Sequence, residues 1–455
     1  MLVNTPVVPF IKTMNEVNVD FLAYRSNVFH FDDMEAVPMS FSSDLVELRP
    51  LYLNELSEKI ASLCSVIGRK PSEIRYSIPS AQLATYTRRA LSNLPVDVDT
   101  SCKLLILDRS FDMTSPLIHD FTYLAMAQDL LEDSIEDDTF ISSTGTDKHP
   151  LLLDMEKDPV QTQIGHKHIY EAMDWLSQSI ASFSKQNVAI QASSSSSASS
   201  SLTDVSDAIK ELPKFHQLSS SYSSHLHLAE SINKTFKERN IQTIATLEQE
   251  VATGFCSSGR KSQASDIFER SKIVFAEGQV GREDLLRFAM LLSSSRRFKQ
   301  SQIDELMKLG NFTDEDSKKS LLNIAELSSF GPKSSNVKLS SNALSRRNSK
   351  TNQNVDENLL MWSGWTPVLK HIIEELSISS LNTEEYPAMS IADHGRECSP
   401  SDSSSPTIIV FVVGGITFSE IRSIYELMSV NRKLRIMLGS THLIRPNQFV
   451  KDMSY

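Results

Sequence analysis

The residues best placed to do chemistry lie just behind two apolar runs. Asp108 and Asp112 bracket Arg109 in Asp-Arg-Ser-Phe-Asp, directly after Lys103 to Asp108 (KLLILD). An α/β sheet can present an aspartyl nucleophile at such a strand end, but the acids of aspartate phosphatases stand two apart, and these stand four apart. The spacing suits a turn instead, in which Asp108 and Asp112 accept backbone N–H groups and Arg109 pairs with a nearby carboxylate. Gly414-Gly415 follows the second run, Thr407 to Val413 (TIIVFVV). Without G-x-x-x-x-G-K-[ST] or G-x-G-x-x-G it lacks the lysine and third glycine of a phosphate cradle and reads as a structural turn. His166 and His168, like His225 and His227, stand two apart. On a helix that spacing points the two rings about 200° apart, which prevents them from sharing one metal. Cys64, Cys102, Cys256 and Cys398 are 38, 154 and 142 residues apart, too far for a zinc knuckle or a redox motif. These residues assign no catalytic group, no metal site and no cofactor.

The elements that must hold these residues read as α/β. The runs at Lys103 and Thr407 are short, continuous and apolar, as strands buried on both faces of a parallel sheet are. Thr417-Phe-Ser-Glu420 has capping-box spacing and opens a helix through Met428; Arg435 to Leu438 makes another short strand, completing a βαβ unit. Val17 to Phe31 reads as a strand and Leu51 to Ile67 as a helix. Between the α/β pieces Gln161 to Ala252 is helical by pattern, with Ile169, Met173, Leu176, Ile180 and Phe183 on one face. The expected fold class is therefore a parallel-sheet α/β domain built from two chain segments and interrupted by a large, mainly helical domain. Asp129 to Asp158 and Pro332 to Asn358 read as surface loops, and Ala192 to Ser201 is a serine tract at an exposed tip. Arg346-Arg347-Asn348-Ser349 suits a basophilic kinase.

Composition bounds the function. At roughly 100–200 residues per domain, 455 residues hold two to four units, and the net charge of −12 argues against a partner whose affinity comes from nucleic-acid phosphates or anionic lipid. The longest apolar run, Ile408 to Ile416, is about half of the ~20 residues a bilayer requires, so no membrane span is expected. The first residues show no secretory signal, which predicts a cytosolic protein. Residues 251–300 carry nine Lys/Arg against five Asp/Glu, a local surplus that can steer acidic helices.

What the sequence offers in place of an active site is a surface. Phe215, Leu218, Tyr222, His225, Ala229, Ile232 and Phe236 alternate steps of three and four, the seam of one helix lying along another. A partner helix and the neighbouring helix of the same hairpin are both fitting occupants. Leu226 and Ile241 lie off the seam and can meet a second helix. Pro213 removes an i to i−4 hydrogen bond and is expected to bend or break the helix.

Several blocks in order resemble the SM family, the Sec-one/Munc-eighteen-like syntaxin-binding proteins. They are LLILDRSFDMTSPLIHDFTYLAMAQDLL from Leu104, LPKFHQLSSSYSSHLHLAESI from Leu212, GWTPVLKHIIEEL from Gly364, and IVFVVGGITFSEIRSIYEL with GSTHLIRPNQFVKDM between Ile409 and Met453. The resemblance implies an arch of three domains: residues 1–21 a remnant of the first, 22–128 and 400–455 the second, and 129–399 the helical third. It implies that most of the first domain is absent ahead of Met1. The third domain would project a hairpin, its tip near 190–205, that binds SNARE helices and templates their zippering. The resemblance carries SNARE binding onto Pro213, Tyr222, His225 and Leu226, to which the seam adds Phe215, Leu218 and Ala229 as candidate SNARE-binding residues, with Ser219 departing from a leucine of some relatives. Its implied partners are a syntaxin-type SNARE, the assembled SNARE bundle and tethering factors, met by a cytoplasmic protein recruited peripherally to membranes through SNAREs. Two other readings stand beside it: a tethering-complex subunit of vacuolar fusion, and an α/β hydrolase or phosphatase using Asp108 or Asp112.

Overall fold

The computed structural model describes residues 19–94, 99–136, 138–141, 150–195, 202–256, 258–332, 364–391 and 407–455, with side chains at 99–101, 184, 186–195 and 202–216 excepted. Residues 1–18, Ser196 to Ser201, and the loop carrying Arg346 to Ser349 lie outside the described residues, as do the side chains of Pro213 and Phe215.

The chain opens with strands β1 (Leu22–Arg25) and β2 (Val28–His30), a hairpin turning at Ser26 and Asn27 where a single strand was expected. Helices α1 (Ala36–Phe41) and α2 (Arg49–Val66), strand β3 (Arg69–Tyr76), helix α3 (Ala81–Ser92), strand β4 (Asp99–Asp108) and helix α4 (Tyr123–Leu130) follow. The acidic stretch expected to be loop instead forms a small antiparallel sheet of β5 (Ile135–Glu136), β6 (Thr139–Phe140) and β7 (Leu151–Leu152). Its Ile135, Phe140, Leu151 and Leu153 are buried against α4, enough apolar surface to order it. Helices α5 (Pro159–Ile164), α6 (Ile169–Ser195), α7 (Leu202–Glu238), α8 (Gln242–Thr253), α9 (Ala264–Glu277), α10 (Arg282–Ser294), α11 (Gln300–Leu309), α12 (Glu315–Phe330) and α13 (Val368–Ser377) come next. Strand β8 (Ala388–Ser390) precedes the closing unit β9 (Thr407–Val413), α14 (Phe418–Val430), β10 (Arg435–Ser440) and α15 (Pro446–Asp452).

The main sheet has the order β1-β2-β10-β9-β4-β3-β8. Its inner strands β2, β10, β9, β4 and β3 run parallel, and β1 and β8 close the edges antiparallel. Strand β9 pairs with β4 from Cys102↔Thr407 to Asp108↔Val413, so two segments three hundred residues apart in sequence share one sheet. The period-2 alternation of strand side chains divides β9 between two cores. Ile408, Val410 and Val412 pack with α13 and α14, whereas Ile409, Phe411 and Val413 pack with α2 and α3. That is why the run reads as unbroken apolar sequence. Residues 368–390, assigned from sequence to the helical part, lie on this sheet: Leu369, Ile372, Ile373 and Leu376 of α13 are buried beside α14, and β8 pairs with β3. A helix with one apolar stripe must cover an apolar face, and the sheet supplies it. The remaining helices form two further cores, one over α8 to α12 and α15, the other over α4 to α7 and the small sheet.

Gly414 and Gly415 turn the chain between β9 and α14 at φ of 91° and 95°, a region costly for other residues. A Cβ on Gly415 would run into Ile444 and the His442 ring as well. We therefore expect Gly415→Ala to destabilise the fold by about 2–4 kcal/mol in urea unfolding, while a loss near zero would show that this turn relaxes freely.

Candidate functional site

The turn after β4 is built as its residue types predict. Asp108 Oδ2 accepts from the Ser110 N–H at 3.3 Å and its Oδ1 from Ser77 Oγ at 2.8 Å. Asp112 Oδ1 accepts from the N–H groups of Thr114 (2.9 Å) and Ser115 (3.1 Å), and its Oδ2 from Ser115 Oγ and Val368 N–H. Arg109 donates to both oxygens of Glu420, at 2.7 and 3.0 Å, and to the Gly415 carbonyl at 3.2 Å. Glu420 also closes the capping box of α14, accepting from the Thr417 N–H at 2.8 Å. The sequence predicted a carboxylate for Arg109 without saying which. Glu420 was visible as a cap, but its second role needed the strand pairing that brings residues 311 apart into contact. With both acids engaged, the turn ties the two segments of the sheet together.

The candidate binding surface is the hairpin of α6 and α7. Helix α7 runs unbroken from Leu202 to Glu238, so Pro213 does not break it as expected. The seam turns inward. Ala229, Ile232 and Phe236 belong to the core formed with α4, Leu218 and Tyr222 pack against that core half-buried, and the Tyr222 ring lies 5.6 Å from Phe183 and 6.4 Å from Trp175 on α6. A three-four stripe is what a hairpin helix needs to bury itself, and here α6 and α4 occupy it. His225 is buried and fully engaged: Nδ1 lies 2.9 Å from the Tyr123 hydroxyl and Nε2 3.3 Å from Asp158 Oδ2. Because the Asp158 carboxylate only accepts, Nε2 carries the proton, and the Tyr123 hydroxyl lies within reach of both Nδ1 and the His225 carbonyl, 3.2 Å away. Asp158 also caps α5 through Val160 N–H at 2.7 Å and takes a bond from Ser221 Oγ at 3.0 Å. Burial pushes its carboxyl upward, but the His225, Gln161 and Ser221 bonds outweigh that and hold it below its ordinary value. Sequence reading missed this anchor, although Asp158-Pro159 is a helix-start signal. His166 lies tilted against Tyr425, ring centres 5.5 Å apart, and His227 faces Glu230 at 3.7 Å, so the histidine pairs serve separate contacts. Ile241, read as off the seam and able to meet a second helix, is fully buried in the core with α4. Leu226 is the exception: 40% exposed, it stands on the outer face of α7 with the exposed Ser219, Ser223 and Glu230.

At the base of the hairpin a buried ionic cluster joins the segment after β4 to the helical core. His119 Nδ1 lies 2.9 Å from Glu248 and its Nε2 3.3 Å from Asp284, which Arg239 also binds; Arg287 holds Asp129 at 2.8 Å and the carbonyls of Leu117 and Ile118. Burial and Arg287 press the His119 pKa down, yet Glu248 and Asp284 prevail and raise it to about 9. For His166 and His442 burial dominates and lowers both to about 4. The signs are opposite. The His119 contribution is fully present below the ordinary pKa of about 6.5 and is lost as pH rises through about 9. His166 and His442 favour the unfolded chain's protonation, so stability also falls as pH drops from about 6.5 toward 4. Chemical denaturation across this range is expected to peak near neutrality, and His119→Gln should flatten its alkaline limb. An unchanged limb would remove His119 as its cause.

A sequence profile described as the Sec1 family matches residues 2–452. "Protein transport protein sec1" of Dictyostelium discoideum is 27% identical, covering 97% of this chain and 78% of its own length. "SNARE-interacting protein KEULE" of Arabidopsis thaliana is 26% identical over 99% of this chain and 78% of its own. Among solved structures, the Unc18–syntaxin 1 complex from Monosiga brevicollis superposes with a TM-score of 0.73 at 24% identity, over all of this chain and 79% of that one. The SM protein Vps45 in complex with the Qa SNARE Tlg2 gives 0.69 at 18% identity, over 95% of this chain and 75% of that one.

Proposed function

The chain belongs to the Sec1 family, and from that premise we propose that it binds a syntaxin-type SNARE and regulates vesicle docking and membrane fusion by favouring SNARE assembly. The observation that carries this reading is the match along nearly the whole chain to relatives named for SNARE interaction and protein transport. Related folds carrying syntaxin 1 and the Qa SNARE Tlg2 support it. The protein works by presenting a surface, with no bond made or broken: Asp108 and Asp112, the acids placed best for a nucleophile, are held by backbone and hydroxyl donors. No helix among the described residues is long and apolar enough to cross a membrane, and recruitment to membranes follows from the SNARE partner. The division we propose is an α/β unit from 22–128 and 400–455 with α13 and β8 added to it, and a helical unit between.

Within the hairpin, the binding residue is Leu226, with Leu218 and Tyr222 contributing their half-exposed edges and His225 and Ala229 acting by holding α7 in place. Pro213 and Phe215, which we propose to take part in SNARE binding, lie earlier on the same helix. The direct test is titration of the purified chain with a Qa-SNARE helical segment, followed by the rate of SNARE-bundle assembly. Binding with faster assembly is expected. Absence of binding to every SNARE segment, with capture only by tethering subunits, would favour a tethering-complex role.

A further inference from the structure

A cleft of about 560 Å³ opens where the Ser110–Thr114 turn and Trp365 face the ends of α8, α10 and α12. Its lining includes Lys261, Arg296 and Arg297, so the cationic surplus of residues 251–300 has an address. Of the other cations of that stretch, Arg270 pairs with Glu250, Lys272 with Glu269, Arg282 with Asp314 and Arg287 with Asp129, while Arg260 and Lys299 lie outside the cleft lining. Lys261 and Arg296 form no ion pair among the described residues.

Several acceptors around this cleft are engaged, and donors remain. Asp112 takes four bonds from Thr114, Ser115 and Val368. The carbonyls at the helix ends, which would otherwise balance positive charge, are claimed locally. Arg297 binds those of Glu250 (3.2 Å) and Ser262 (2.8 Å), Thr253 Oγ1 takes Gln249 O, Ser295 Oγ takes Leu292 O and Ser328 Oγ takes Ile324 O. Against this, the Ser110 hydroxyl and the Trp365 indole N–H are buried atoms without a partner. A buried unpaired donor costs stability and is rare unless something external satisfies it. Arg296 adds a third sign: its φ of 55° is strained for a residue other than glycine or asparagine, yet an arginine holds the position.

We propose that this cleft binds a small phosphate-bearing polyanion, of the inositol phosphate type. A phosphomonoester carries close to two charges and three acceptor oxygens, which matches two free cations, a hydroxyl and an indole N–H. A single carboxylate satisfies one cation and leaves the other. The volume lies in the range of about 300–1,000 Å³ typical of small-molecule sites. The phosphate can come from a soluble inositol phosphate or from a phosphoinositide headgroup.

The test is calorimetric titration of the full chain with inositol hexakisphosphate, beside flotation with phosphatidylcholine vesicles with and without phosphatidylinositol bisphosphate. Saturable binding is expected in the titration. Binding to the phosphoinositide vesicles as well identifies the headgroup source, and its absence the soluble one. Lys261→Glu with Arg296→Glu, both exposed, should weaken binding about 100-fold while leaving the melting curve in place. Ser110→Ala, which leaves the net charge unchanged, should weaken it about tenfold and leave stability equal or higher. Three results would overturn the proposal: no binding of the phosphate probe, equal binding by the charge-reversed variant, or binding of an acidic peptide in its place.

Discussion

Glu420→Ala is expected to destabilise the chain by about 3–5 kcal/mol, a large share of the roughly 5–15 kcal/mol that typical domains possess. Arg109 and Glu420 are both fully buried, and their two bonds link the end of β4 to the start of α14. Removing the carboxylate leaves a guanidinium in the interior with the Gly415 carbonyl, the Phe111 ring 4.5 Å from its centre, and the charges of Asp112 and Asp108, each already engaged by other donors. It also opens the capping box, since the Thr417 N–H loses its acceptor. Urea unfolding with the second variant Arg109→Met/Glu420→Leu separates the causes. If the uncompensated charge dominates, the double variant should recover most of the loss, because well-packed apolar pairs often replace buried ion pairs at little cost. A loss below about 1 kcal/mol for Glu420→Ala would mean that the two halves of the sheet do not depend on this tie.

Leu226→Asp is expected to weaken binding of a SNARE helix by about 10- to 100-fold with the fold intact. Burying one leucine against a partner contributes about 1.5–3 kcal/mol, and each 1.4 kcal/mol is a factor of ten. Its exposure means the free protein loses little, within about 0.5 kcal/mol for such surface changes. Ala229→Asp provides the contrast: one turn away but buried against the core with α4, it should unfold the hairpin and abolish binding indirectly. Thermal melting distinguishes the two. Unchanged affinity in Leu226→Asp would move the binding surface off this face of α7.

The same helix shows how far residue patterns carry. The stripe from Leu218 to Phe236 identified a packed helix correctly, because a three-four repeat is the signature of any buried helical face. It could not say who fills the groove, since a neighbouring helix and a partner helix demand the same side chains. Long-range pairing settled it: Tyr123, about a hundred residues earlier, caps His225 from α4. Glu420 was read only as a cap and Asp158 only as the end of an acidic stretch, because their partners Arg109 and His225 lie in other segments of the chain.

Local chemistry therefore accounts for the strands at Lys103 and Thr407, the glycine turn, the capping box at Thr417 and the absence of a spacing suited to nucleophile or metal, because those features depend on residues within a few positions of one another. The occupant of the α7 seam, the partner of Arg109, the placement of α13 on the sheet and the donor-rich cleft beside Trp365 arise from contacts between residues in separate elements, distant in sequence. No periodicity encodes such contacts. They exist once the chain has closed on itself, and chain closure decides which neighbour covers each apolar face.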